Sequence, residues 1–502
     1  MAHRREWWRE WWRAARGAVG ILALVVCAPG VASAAAGEGG PEHLDEPAAD
    51  DDRYGIDEMF GPAPGDAPRP DGDDRYGVDE MFGGEGGRAP APAAERADFT
   101  IPEDPLAIGG QLYLRLMATF RDGEAADRAA IAMPNLLDLY LDARPATRVR
   151  GFFSGRLRYD PTVTEGSRDA FGQSASRASV LVDRLWIRTD IARSVFLTVG
   201  QQRVKWGASR IWNPTDFLNR TRRDPLAVFD ERTGVPMVRA HVPFESLGWN
   251  AYGVLLLDGV SEVRDVGGAL RLEMVFGAAE IALSSLFGRG RKTSFGADLS
   301  AALGDLDVTV EFSLTDERDT PRFSGTLDLE RGELPTEEPR GAWVGRISAG
   351  VEYQFKPNPD DVMIIGAEYF YNPLGYGDPG LYPWLAVTGQ LQPFYLGRHY
   401  AAVVWLVPAP GSWNNVTFGL SNLANLSDRT FVTRLDFSAT LHTRLRLEAF
   451  AQVHYGRKGG ELRFSLTVPD LPAIPGLIEE PVEGFTIPAP LLMTGVNLRV
   501  SL

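Results

Sequence analysis

The sequence predicts an all-β chain that closes into a transmembrane antiparallel β-barrel, of about 18 strands with 16 as the rival count, behind a disordered acidic N-terminal segment. Three observations carry this expectation. From about Leu106 onward apolar and polar residues alternate with period 2, and little period-3.6 pattern or long apolar run competes with it. Several alternating segments run for about 12 or 13 residues, well beyond the roughly 5 or 6 usual for strands of soluble sheets. The connections between them alternate in length, as short periplasmic turns and long outer loops do.

Residues 1–36 read as an export signal. A basic stretch, MAHRREWWREWWRAAR, precedes about 11 apolar residues from Ala18 to Ala28 and the small-residue pattern Ala32-Ser33-Ala34. The apolar run is too short for a membrane-spanning helix, which needs about 20 such residues. The single cysteine, Cys27, lies in this leader, so the mature chain is expected to hold neither disulfides nor a thiolate metal site. No metal, cofactor or nucleic-acid partner is expected of a chain with a formal net charge of -16.

Residues 37–104 are rich in Gly, Pro, Ala and acid, with roughly 20 acidic against 5 basic side chains. Such a composition buries too little apolar surface to offset its ordering entropy, so a disordered periplasmic tether is expected. Within it DDRYGIDEMFG, from Asp51 to Gly61, returns as DDRYGVDEMFG, from Asp73 to Gly83. The pair reads as two docking segments, Tyr54, Met59 and Phe60 in one copy and Tyr76, Met81 and Phe82 in the other. Linked weak sites gain avidity without new contacts. A periplasmic or inner-membrane transport partner is the expected receiver, and a duplication within a plain spacer is the alternative.

Residues 105–502 carry the barrel pattern. Val308, Val310, Phe312 and Leu314 share one face, and Thr309, Glu311 and Ser313 share the other. Trp343 to Phe355 and Leu445 to Tyr455 repeat that split over longer runs. Apolar faces turned to outer-membrane lipid and polar faces turned to a water-filled lumen satisfy both sets of side chains. Short connections are expected near Ala192 to Ser194, Gly304 to Leu306, Lys356 to Asp361 and Ala409 to Ser412. Long ones are expected near Pro161 to Arg177, Trp206 to Gly234, Asp316 to Arg340 and Pro373 to Arg398. Trp186, Trp249, Trp343, Trp405 and Trp413, near strand ends, are expected to form interfacial girdles. The last strand alternates Leu492, Val496, Leu498, Val500 and Leu502 against Gly495, Asn497, Arg499 and Ser501, a signal for the barrel assembly machinery that usually ends in an aromatic residue.

The alternation also predicts what faces the lumen. Arg148, Arg150, Arg156 and Arg158 fall on one polar face, followed by Arg184, Arg188, Arg203, Lys205, Arg239 and His241. Arg203 and Lys205 join this set only if a bulge near Gly200 shifts the register, because Leu197 and Val199 share their parity. Such a cluster attracts anions and offers bidentate donors to carboxylate or phosphate. Carboxylates at Asp138, Asp142, Asp190, Glu352, Glu368 and Glu448 supply the alternative, a structural network across the interior.

Between Val195 and Pro243 lies a strand, an irregular loop and a second strand. The loop holds Trp206, Gly207, Trp212, Asn213, Pro214, Asp216, Arg222, Arg223 and Asp224, too many turn-formers and arginines for a plain surface connection. It is expected to fold into the lumen as a constriction, with Trp206 and Trp212 packed on the wall and Asp216 and Arg223 holding it by polar pairing. Prolines after Asn213 and Asp224 make it kinked rather than helical.

VGQQRVKWG followed by NPTDF and RRDP, with the final PAPLLMTGVNLRVSL, resembles porin-like and alginate-export-type bacterial outer-membrane barrels. That resemblance implies a channel for hydrophilic or amphipathic, including anionic, molecules in the outer membrane of a Gram-negative cell. The alternative is a non-conducting outer-membrane anchor that presents the repeated motif. No GxSxG or HExxH occurs, and an enzyme is not expected.

Overall fold

The computed structural model describes residues 105–166, 175–227, 231–325, 327, 333–338, 343–358, 361–468, 470 and 484–502. The leader, the acidic segment and both copies of its repeat lie outside the described residues.

Eighteen strands make the wall. The first six are β1 (Leu106–Arg121), β2 (Asn135–Ala146), β3 (Val149–Tyr159), β4 (Ala178–Ile191), β5 (Val195–Gln202) and β6 (Val235–Phe244). Next come β7 (Trp249–Leu256), β8 (Gly267–Phe276), β9 (Ala279–Phe287), β10 (Ser294–Leu303), β11 (Leu306–Asp316) and β12 (Trp343–Phe355). The last are β13 (Met363–Tyr371), β14 (His399–Pro408), β15 (Val416–Asn425), β16 (Thr430–His442), β17 (Leu445–Gly456) and β18 (Pro490–Ser501). Each pairs antiparallel with its sequence neighbours, and β18 returns to β1 with Tyr113 opposite Arg499 and Met117 opposite Gly495. The sheet is therefore closed, and the rival count of 16 falls away. A three-residue strand, Ala130–Ala132, adds to β1 at Met117–Thr119.

Side chains obey the alternation. On β1 Leu114 and Leu116 are 41% and 49% exposed, while Tyr113 between Leu112 and Leu114 is 1% exposed. An outer surface of exposed leucine, isoleucine and valine is stable only against lipid, and a closed barrel leaves no unpaired edge in it. No described helix is long and apolar enough to cross a membrane.

The connections also follow the expectation. One end of the barrel carries the tight turns at 192–194, 245–248, 277–278, 304–305 and 443–444, and the opposite end carries 160–177, 203–234, 317–342, 372–398 and 457–489. Residues 426–429 are a short exception at the loop end. The first strand starts and the last strand ends at the tight-turn end, where Gln111 pairs with Ser501.

One aromatic expectation is corrected. Trp343, Trp405 and Trp413 are exposed on the outside, and Trp249 packs edge-on against Phe276 there. Trp186 instead faces inward, 5% exposed and stacked 5.5 Å from Phe152. It shares the parity of Arg184 and Arg188, so proximity to a strand end does not turn it outward. A bulge lies just beyond: Ser154 is opposite Arg184 but Gly155 is opposite Val182, so Asp183 is the extra residue and joins Arg184 on the buried inner side.

Candidate functional site

The site begins where β5 stops. No register shift occurs in β5 against either neighbour, so the bulge expected near Gly200 is absent. The chain leaves the wall after Gln202, and Arg203 and Lys205 stand at the root of the loop instead of in the strand. Arg203 donates to both carboxylate oxygens of the bulged Asp183 at 2.8 Å and to the Arg232 carbonyl at 2.9 Å. Its charge is thus committed to the root of the loop.

Beyond that root the loop lies inside the barrel. Val204, Trp206 and Leu218 pack with Val235 and Met237 of β6, Val254 and Leu256 of β7, Ala269 of β8 and Leu286 of β9. Gly207 then turns the chain with φ of 105°, a conformation that favours glycine. A Cβ there would also come within 2.5 Å of the Glu311 carboxylate, so the glycine after Trp206 is required twice over.

Glu311 of β11 is fully buried and receives the loop. It accepts from the Ser209 amide at 2.6 Å, the Thr215 amide at 3.2 Å, the Thr215 hydroxyl at 2.8 Å and Asn213 Nδ2 at 3.0 Å. Two strands further round, Glu368 of β13 accepts from the amides of Arg210 at 3.0 Å, Ile211 at 3.1 Å and Trp212 at 2.7 Å. These amides belong to no ladder, and a carboxylate accepting several N–H groups satisfies them together. Trp212 fills a pocket against Phe370, Tyr400, Ala402 and Leu423 of β13 to β15, with its indole N–H on the Phe394 carbonyl at 3.1 Å. Asn213 Nδ2 also donates to the Ser209 carbonyl, and Asn213 and Pro214 are buried at the tip of this excursion.

The return path is tied down separately. Asp216 accepts from Arg232 at 2.8 Å and from Asn219, closing the loop on itself. Arg223, expected to hold the loop by polar pairing, donates to the Arg210 carbonyl within the loop, and Arg222 lies 5.1 Å over the Tyr395 ring. Asp224 caps the Leu226 amide at 2.8 Å, and burial pushes its carboxyl up to about 6. Glu231 then reaches the first wall, with Arg115 of β1 at 2.6 Å and Arg158 of β3 at 3.1 Å, while Arg156 donates to its carbonyl at 3.1 Å. Burial opposes ionisation of Glu231, but the guanidiniums of Arg115, Arg156 and Arg158 outweigh it and hold the group below the ordinary carboxylate range. The loop thus touches the inner faces of β1, β3, β4, β6 to β9 and β11 to β15.

The inward arginines stand as the alternation places them. Arg150, Arg156, Arg158, Arg184, Arg188 and Arg239 face the interior of β3, β4 and β6. Arg148 sits in the tight turn, half exposed and 3.8 Å from Asp190. Many have carboxylate partners: Arg156 with Asp138 at 2.6 Å, Arg150 with Asp142 at 3.0 Å and Arg499 with Glu448 at 2.7 Å. Arg210 of the loop takes Glu352 at 2.6 Å. The arginines line the interior, and a structural network engages several of them. His241 is stacked between Phe196 at 5.8 Å and Tyr252 at 4.7 Å, with Nε2 2.9 Å from Asn250 Oδ1.

Sequence reasoning missed the roles of Glu311, Glu368, Asp183, Glu231 and Arg232. Two carried a signal. Glu311 stands between Thr309 and Ser313 with Asp307 the other charge on its inward face, and Glu368 stands between Gly366 and Phe370 on an inward face that is otherwise uncharged. A carboxylate on such a face needs donors from elsewhere.

Other loops cover the same end. Helix α1 (Tyr382–Val387), in the loop after β13, joins Leu391 and Leu396 with Phe464, Leu466 and Ile487 from the loop after β17 in one buried cluster. Glu461 beside it accepts from the Tyr400 hydroxyl at 2.6 Å and from Asn425 at 2.7 Å, and burial pushes it up to about 7.

No protein-family model matches the chain, and no curated protein matches it. Solved structures do resemble it. The chain is similar to OccK1 (OpdK) of Pseudomonas aeruginosa at 10% identity, covering 79% of this chain and 98% of that one with a TM-score of 0.45. It is similar to OprB of Pseudomonas putida at 9% identity, covering 79% and 94% with a TM-score of 0.41. It is similar also to a mutant porin of Rh. blastica at 9% identity, covering 79% and 100% with a TM-score of 0.37.

Proposed function

We propose that this protein is an outer-membrane channel for hydrophilic or amphipathic solutes, with a preference for anions, and that the loop from Arg203 to Gly234 sets what passes. The observation that carries the reading is the loop itself. It leaves one wall, seats its amides on Glu311 and Glu368 and meets Arg115 and Arg158 on its return. A polypeptide held on several walls narrows an aqueous lumen and leaves its width adjustable by the seating of one segment. Inward guanidiniums along β3, β4 and β6 bias the potential of that path toward anions. The exposed apolar exterior and the alternation of turn lengths support a reading in which the barrel sits in the outer membrane with its tight turns and N-terminal segment on the periplasmic side.

A second reading has its own support. The apolar cluster that joins α1 to the loops after β13 and β17 covers the loop end, as a non-conducting anchor requires. Single-channel recording in planar bilayers separates the two. A steady conductance that rises when Trp206 to Gly234 is deleted supports the channel, and silence from both forms supports the anchor. Charge reversal at Arg188 and Arg239 is expected to lower anion selectivity, and an unchanged reversal potential in a salt gradient would count against the anion preference.

A further inference from the structure

The turn between β15 and β16, residues 426–429, is the shortest connection at the loop end of the barrel, so the wall there has no long loop of its own to shield it. It is firmly held. The amides of Arg398 and His399 both donate to the Ser427 hydroxyl, at 2.8 and 2.9 Å, and the Ser427 amide donates to Asn425 Oδ1 at 3.0 Å. Arg429 ends the turn with φ of 61°, a left-handed position that suits glycine or asparagine, so the backbone does not call for an arginine. Its exposed guanidinium meets no hydrogen-bonding or charged partner among the described residues. Asp428, the acid beside it in sequence, is fully buried and accepts from Thr430, Asn425 and the Glu461 amide instead. Arg398, also exposed, donates to the Gly375 carbonyl at 2.9 Å and meets no carboxylate among the described residues.

Below the turn the outer face is aromatic, and below that it is aliphatic. Tyr371 stands opposite His399 and Phe431 opposite Tyr455, all on the outward parity of their strands. The first pair of rings lies 5.2 Å apart and the second 5.3 Å, and the Tyr369 hydroxyl is 2.7 Å from His399 Nδ1. Deeper on the same wall Val403, Leu420 and Leu435 are exposed. Aromatic rings so placed sit at the level of lipid headgroups, with the aliphatic surface against acyl chains. Arg398 and Arg429 lie just beyond the rings, each one residue before a strand that starts at this end. Those strands, β14 and β16, are two strand spacings apart, or roughly 10 Å. A phosphate between the two arginines accepts from both guanidiniums, a geometry that suits their planar donors. The lipid that carries it lays its chains on Val403, Leu420 and Leu435, a surface from which a free anion gains nothing.

We propose that this rim binds the phosphate of an outer-leaflet lipid headgroup, held by Arg398 and Arg429 above the Tyr371–His399 and Phe431–Tyr455 ring pairs. The binding rests on the outer-membrane placement proposed above and not on conduction. Native mass spectrometry of the mature full-length chain in detergent reads it directly, with lipid A as the phosphate-bearing probe and its dephosphorylated form as the control. A single lipid A is expected to stay bound to each barrel, with retention of the dephosphorylated form at least fivefold lower. Arg398→Ala with Arg429→Ala is expected to lower retention of lipid A at least fivefold. Arg429→Gly separates binding from folding: glycine relieves the left-handed backbone, so heat resistance in SDS gels is expected to hold or rise while retention falls. Arg193→Gly, at a second positive φ (57°) in a tight turn of the opposite end, is expected to leave retention unchanged. Equal retention of the two lipid forms overturns the inference, and so does undiminished retention in the double variant. Displacement of lipid A by an equal concentration of inorganic phosphate overturns it as well, because the site would then take the free anion. Fractionation of cell envelopes keeps the two levels apart. A barrel recovered with the outer membrane that shows no phosphate preference removes the headgroup site alone, and recovery in another fraction removes the placement on which it rests.

Discussion

Glu311 and Glu368 show how much one residue can hold. Each is a carboxylate on the inner wall whose partners are amides of a loop about 100 and about 150 residues away in sequence, respectively. Glu311→Gln keeps the shape but leaves one acceptor oxygen for four donors, and each buried donor left unpaired costs roughly 1–3 kcal/mol. About 1.4 kcal/mol is a tenfold change in an equilibrium. Opening events in single-channel recordings are therefore expected to be at least tenfold more frequent in Glu311→Gln than in the unaltered chain. Gating indistinguishable from the parent would remove Glu311 as an anchor. Gly207→Ala tests the same contact from the other side, because an added methyl meets that carboxylate and its φ of 105° disfavours any L side chain. It is expected to reproduce the loosened phenotype.

At the scale of the element, the inner loop and the outer cap share a response to pH. Asp224 and Glu461 are both raised by burial, to about 6 and about 7. A carboxyl whose value is raised in the folded arrangement binds its proton more tightly there than when the loop is released. Its stabilising contribution is fully present below the ordinary carboxylate value and is lost as pH rises through the raised one. Seating of both loops is therefore expected to weaken between about pH 4 and pH 7, where Glu317, held down to about 2, does not change. Current fluctuations measured from pH 5 to pH 8 are expected to grow with pH, and Asp224→Asn together with Glu461→Gln to flatten that profile. A profile that slopes the other way in the unaltered chain would contradict the assignment.

The whole molecule is governed by which face of each strand meets lipid. Leu116→Arg places a guanidinium on the outer face of β1, where a charge near the bilayer midplane costs roughly 2–4 kcal/mol. Ser300→Arg places the same group on the inner face of β10, toward the lumen. The first substitution is expected to lower the temperature at which the barrel loses its heat-resistant migration in SDS gels, and the second to leave it nearly unchanged. Equal effects would mean that the outward face does not contact lipid.

Alternation and turn length determined most of the architecture. They fixed the class, the closed sheet, the inward face that holds Arg150, Arg156, Arg158, Arg184 and Arg188, and the place of the loop between the fifth and sixth strands. These are local properties: a period of 2 assigns a face to every residue without reference to what lies across the barrel. The strand count needed the tertiary structure, because only the pairing of β18 with β1 distinguishes 18 from 16. Arg203 and Lys205 needed it too, since parity cannot report that a chain leaves the wall two residues early. The same limit applies to Trp186, whose inward turn had to compete with its nearness to a strand end, and to Asp216, whose pairing partner Arg232 lies further along the same loop. Above all, the sequence placed Glu311, Glu368 and Glu231 on their segments but not against the loop. Which donors meet a buried carboxylate across a lumen is decided by closure of the sheet and the path of one long loop, and neither leaves a periodic trace in the residues that make the contact.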